Sequence, residues 1–106
     1  MKKIAVHLAE GFEEIEAVNI IDVLRRAEFD VTVVSVTEKP EVTGSHSIKI
    51  ITDKLFSAIN YELIDMIILP GGMPGASHLN NHLGLREQIL NFQDNKKGAA
   101  NRAGLS

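Results

Sequence analysis

Residues 65–72 read Asp65-Met66-Ile67-Ile68-Leu69-Pro70-Gly71-Gly72, and this stretch decides the fold. An unbroken apolar run of this kind fits a strand covered on both faces rather than one left half exposed. Pro70 cannot donate to a ladder, and the adjacent glycines let the chain turn sharply. A second such run, residues 4–8 (Ile4-Ala5-Val6-His7-Leu8), is punctuated by Gly11. Between the two lie a helical pattern over residues 13–28 and a β-branched strand over 31–36, opened by Asp30. Residues 38–47 are polar, with Pro40 and Gly44, and read as a loop or hairpin. Residues 48–52 are a further strand candidate, followed by a short helical piece over 55–59. After the glycine turn a last helix fits 83–95, where Leu85, Ile89 and Phe92 recur at helical spacing. Strand and helix alternate, which predicts an α/β fold with a mostly parallel sheet.

At 106 residues the chain is expected to form one small domain. Eleven basic and fourteen acidic residues give a formal charge of -3. That balance argues against nucleic acid or an anionic membrane as the main partner. No apolar run approaches the roughly 18 residues a membrane span needs, and no targeting segment is read, so the cytoplasm is the expected compartment. The sequence contains no cysteine. Disulfides, thiolate metal sites and a cysteine nucleophile are therefore excluded within these residues.

On a helical wheel, Ala17, Ile20, Ile21, Val23, Leu24 and Ala27 share one broad face, opposite Asn19, Asp22, Arg25 and Arg26. Glu16 breaks the split, falling between Ile20 and Val23 at the edge of the inward stripe. Two readings stay open. Glu16 is a first-turn acid favoured by the helix dipole, or a partly buried carboxyl whose desolvation suits it to acid–base work. The second gains from position, because ligands of open α/β sheets gather outside the carboxyl ends of the strands. Glu13 also points inward, where helix capping explains it. Ile15 and Val18 sit together on the polar side, either as ordinary exposed apolar residues or as a self-association patch.

The turn Pro70-Gly71-Gly72-Met73-Pro74-Gly75 matches neither the dinucleotide pattern nor a P-loop. Its bare N–H groups suit a phosphate or a developing oxyanion, and a plain tight turn explains the same residues. His78 and His82 are four apart and, on one helix, would share a face. Without an adjacent acid they read as surface histidines, and no metal site is assigned. His7 reads as a satisfied strand residue and His46 as part of the polar loop.

The end of the pattern is irregular. After the last helix the alternation calls for another buried strand, yet residues 99–106 contain no β-branched residue. This reads as a truncation or frame change, or else a frayed terminus. The expected organisation is a domain part over 1–98 and a divergent tail over 99–106.

Three stretches together carry a resemblance. Leu8-Ala9-Glu10-Gly11-Phe12-Glu13-Glu14-Ile15-Glu16-Ala17-Val18, then Asp22-Val23-Leu24-Arg25-Arg26-Ala27 before Val31-Thr32-Val33, and residues 65–72 resemble the ThiJ/PfpI family. The resemblance runs from about residue 1 to 98. It implies a flavodoxin-like parallel sheet sandwiched by helices, here incomplete and lacking the nucleophile strand and all later elements, and usually a homodimer. It implies cofactor-free glyoxalase or protein deglycase activity on small α-oxoaldehydes and glycated groups, with stress-response roles in some members. By the same resemblance Glu16 matches the acid that hydrogen-bonds a nucleophilic cysteine, and Gly72 the glycine whose N–H helps form the oxyanion hole. Gly71 adjoins it in the binding turn, Arg26 matches an arginine near an anion site in some members, and Ile15, with Val18, falls on a dimer-forming helix. Glu28 stands where many relatives have a glycine.

The resulting expectation is a truncated family member, inactive for want of its nucleophile. Two other classes remain open: a non-catalytic fragment binding a partner through its helix or exposed sheet edge, and a small phosphate- or anion-binding module using the Gly71-Gly72 turn. The missing strand is also expected to strip cover from Val6, Ile67 and Ile68. At roughly 1.5–3 kcal/mol for each fully buried side chain, that predicts a marginal, aggregation-prone chain.

Overall fold

In the computed structural model, residues 1–71, 75–94 and 98–101 are described. The central strand is β1 (Lys3–Leu8), which pairs in parallel with β2 (Asp30–Ser35) on one side and β6 (Met66–Leu69) on the other. A two-residue strand, β5 (Lys54–Leu55), extends the sheet beyond β2, and β7 (Gly98–Asn101) extends it beyond β6. The order is β5-β2-β1-β6-β7. Val6 lies level with Val33 and Ile68, so its side chain is enclosed by neighbours on both sides. Strands β3 (Glu41–Thr43) and β4 (Lys49–Ile51) form a separate antiparallel hairpin, as the polar stretch allowed.

Both faces of β1 are covered, as its unbroken apolar run requires. Ile4, Val6 and Leu8 pack with Ala17 and Ile21 of α1 (Glu14–Arg26). Ala5 and Ala9 pack on the other face with Tyr61, Leu79, Leu85 and Phe92. These come from a 3-10 turn (Tyr61–Leu63), α2 (Gly75–Asn80) and α3 (Leu83–Asp94); another 3-10 turn spans Phe56–Ala58. Right-handed crossovers account for the two layers. The unit β1-α1-β2 moves one way along the sheet and β6-α3-β7 the other, so their helices fall on opposite faces.

Three expectations are corrected. A strand does follow α3: residues 98–101 pair with β6, with Ile68 level with Ala100. A parallel ladder needs only backbone N–H and C=O groups, so β-branched side chains are not required of it. Val6 and Ile67 are fully enclosed and Ile68 is buried, because α1 covers one face and α3 the other. The inward stripe of α1 is also displaced from the wheel reading. Val23 and Ala27 are exposed, while Glu14, in line with Ala17 and Ile21, is buried. Val23 borders an open apolar groove with Ile20, Leu24 and Ile68, on a flank of α1 with no described element above it.

Helix α1 ends in a Schellman motif: Phe29 N–H donates to the Leu24 carbonyl and Glu28 N–H to that of Arg25. Glu28 takes the left-handed position of that motif, with φ 68°. Among the described residues no helix is long and apolar enough to cross a membrane.

Candidate functional site

The crossovers leaving β1 and β6 run in opposite directions, which opens a crevice at the carboxyl ends of those two strands. Ligands of open α/β sheets bind at this kind of point. Two chain segments meet there: the turn from β1 into α1, and Gly71 after β6. Gly11 has φ 82°, a conformation that favours glycine. Its N–H donates to the Thr43 carbonyl at 2.8 Å, and its own carbonyl accepts from Gly75 N–H at 3.0 Å. A Cβ on Gly75 would lie 2.7 Å from the Phe12 Cα, so only glycine lets α2 start this close to the turn. The turn is thereby clamped by the hairpin on one side and α2 on the other.

Helix α1 begins directly after the clamp. Glu13 is its N-cap, and its Oε2 accepts from Glu16 N–H at 2.6 Å. That bond fixes the first turn and with it Glu16. Glu16 is half-buried, and its Oε1 accepts from Gly71 N–H at 3.4 Å. The structure thus joins Glu16 to the glycine turn, two features that lie 55 positions apart. Gly71 is itself buried; Gly72 lies outside the described residues.

A second acid, Glu14, escaped the sequence reading. Its Oε2 accepts from the N–H groups of His46 (2.7 Å) and Ile48 (3.2 Å). Its Oε1 lies 3.1 Å from His46 Nδ1 and 3.5 Å from Ser45 Oγ. Burial pushes the Glu14 carboxyl upward, but hydrogen bonds from its own N–H, from His46 and from Ile48 outweigh this and hold it down at about 2. Glu14 therefore ties the hairpin to α1. A Cβ on Gly44 would fall on its carboxyl group, so any larger residue there would have to displace the Glu14 side chain. Glu13, Glu14 and His46 bring ligand-type atoms within 4.8 Å of one another; the hairpin contacts already account for the Glu14 oxygens. The missed signal was positional: Glu14, Ala17 and Ile21 recur at i, i+3 and i+7.

His7 is fully enclosed, and its Nε2 lies 2.6 Å from the Tyr61 hydroxyl. The two rings stack with centroids 5.8 Å apart. Burial is the main cause that lowers the His7 pKa to about 4, and burial raises that of Tyr61. His7 Nδ1 makes no hydrogen bond that meets ordinary geometry, so the strand histidine is satisfied at one nitrogen.

The DJ-1/PfpI family model matches residues 2–101. The chain belongs to the DJ-1/PfpI family. This agrees with the resemblance carried by the three motifs, and the match takes in β7 as well. The chain is 45% identical over 93 residues to protein DJ-1 homolog B of Arabidopsis thaliana, covering 88% of this chain and 21% of that protein. It is 38% identical over 98 residues to the Parkinson disease protein 7 homolog of Danio rerio, covering 92% and 51%. The solved structure of oxidized Toxoplasma gondii DJ-1 superposes with a TM-score of 0.91 at 40% identity, covering 95% of this chain and 55% of that one. The chain thus spans between a fifth and about half the length of these relatives.

Against the DJ-1/PfpI pattern, the remaining predicted residues divide. Ile15 and Val18 are 79% and 49% exposed, on one side of α1, as a contact patch requires. Arg26 is not brought to the Glu16 crevice within one chain. It lies at the far end of α1, about 15 Å along the axis from Glu16, and its Nε donates to Asp22 Oδ2 at 2.9 Å on the surface.

Proposed function

We propose that this chain carries the acid and the glycine turn of a DJ-1/PfpI carbonyl-processing site, without the nucleophile that the site needs. The observation that carries the reading is the Glu16–Gly71 contact at the carboxyl ends of β1 and β6. An acid held there is placed to hold or move a proton. By the family resemblance, the Gly72 N–H would stabilise charge on a carbonyl oxygen. Addition to the aldehyde carbon of an α-oxoaldehyde, or to a glycated group, still requires a nucleophile, and the sequence contains no cysteine. The 106 residues by themselves are therefore inactive on methylglyoxal. A methylglyoxal-consumption assay on the purified chain tests this directly.

A partner-binding role is the second reading, favoured by two observations. Among the described residues β7 pairs only with β6, which leaves its other edge available for a further strand. The exposed Ile15 and Val18 support a homodimer through α1. An anion module is favoured less, because the Gly71 N–H already faces the Glu16 side chain. The cytoplasm remains the proposed compartment.

A further inference from the structure

One strand away from the Glu16 crevice, at the carboxyl ends of β1 and β2, lies a second cavity of about 310 Å³. Ala9, Glu10, Val36, Thr37, His78, Asn81 and His82 line it. Its volume is at the lower end for a small-molecule pocket. The hydrogen-bonding character of its two histidines is fixed by their other contacts. His78 Nδ1 lies 2.7 Å from the Glu10 carbonyl oxygen. A carbonyl only accepts, so Nδ1 carries the proton, and the neutral ring presents Nε2 as a bare acceptor. His82 is the reverse: its Nδ1 accepts from Leu85 N–H at 3.0 Å, so the proton of the neutral ring sits on Nε2, a donor. A metal shared by the two is disfavoured, since a metal on His82 Nε2 would require the proton on Nδ1 and break the bond from Leu85.

Thr37 and Glu10 are engaged elsewhere, while Asn81 adds a side-chain amide to the lining. The Thr37 hydroxyl donates to the Lys39 carbonyl at 3.0 Å. The Glu10 side chain is drawn toward the hairpin, where it accepts from Thr43 N–H at 3.3 Å. The lining thus offers a ligand one imidazole donor and one imidazole acceptor, beside the Asn81 amide and the apolar surfaces of Ala9 and Val36.

We propose that this cavity binds a small uncharged hydroxy-carbonyl compound. The carbonyl accepts from His82 Nε2–H, the hydroxyl donates to His78 Nε2, and the carbon chain lies against Ala9 and Val36. Neither Glu16 nor any nucleophile takes part, so this site stands or falls apart from the proposed carbonyl chemistry.

Nitrogen-15 NMR of the imidazole rings near pH 7.5, with hydroxyacetone as the titrant, tests it. The expected result is an Nδ1–H ring at His78, an Nε2–H ring at His82, and saturable shifts at both while His46 stays still. Acetone, lacking the hydroxyl, should bind about tenfold more weakly, the loss of one hydrogen bond. His78→Leu, a change at an exposed position, should erase that preference. Identical tautomers at His78 and His82, shifts that do not saturate, or equal binding of acetone and hydroxyacetone would each overturn the proposal.

Discussion

Glu16 Oε1 accepts a hydrogen bond from the Gly71 backbone N–H at 3.4 Å, joining the first helix to the turn after β6. Glu16→Ala removes the acceptor, whereas Glu16→Gln keeps an oxygen at the same place. Amide hydrogen exchange at Gly71 should therefore accelerate in Glu16→Ala and stay near the parent rate in Glu16→Gln. The expected loss of stability in the alanine variant is about 1 kcal/mol. Unchanged exchange in Glu16→Ala would mean that the bond does not hold the turn.

Glu28 occupies a left-handed backbone position at φ 68°, where a side chain costs about 1–2 kcal/mol relative to glycine. Glycine's greater freedom in the unfolded chain offsets part of that relief. Glu28→Gly should therefore stabilise by about 1 kcal/mol, raising Tm by about 4–8 °C for a domain of this size. A lowered Tm would show that Glu28 makes compensating contacts through its side chain.

Stability should fall with acid in two stages. The His7 pKa is about 4 in the folded protein against an ordinary 6.5, so between these values the unfolded state binds more protons. Stability from this group is fully present above pH 6.5 and is lost as pH falls toward 4, by roughly 3 kcal/mol. Glu14 runs in the same direction further down: its carboxyl is lowered from 4.5 to about 2, and its contribution is lost as pH falls through that window. Denaturant unfolding measured from pH 8 to 4 should show the first decline. In His7→Leu the curve should flatten over the same range, whatever its absolute height.

The apolar runs at 4–8 and 65–69 were enough to place β1 and β6, because a strand buried on both faces leaves few other options. Glu16 was legible for a related reason, as an acid on the wrong side of an apolar stripe. Glu14 was not. With Val23 and Ala27 counted as inward, the stripe is centred too far toward the flank that the structure leaves open. The strand at 98–101 was hidden because its pairing with β6 is made by the backbone, which side-chain propensity does not report. The tie between Glu14 and the loop around His46 could not be read either, since those residues are 32 positions apart.

Dimer formation through α1 is expected to depend on Ile15, which is 79% exposed. Sedimentation velocity should show a dimer for the parent chain and a monomer for Ile15→Arg, with the fold unchanged by circular dichroism. A parent chain that sediments as a monomer at all concentrations would remove this interface.

The most direct test is methylglyoxal consumption by the purified 106-residue chain. An acid and a glycine turn without a nucleophile should leave the rate at the buffer background, for the parent chain and Glu16→Gln alike. Consumption above background by the parent chain, abolished in Glu16→Gln, would contradict the account and show that a residue other than cysteine serves as the nucleophile.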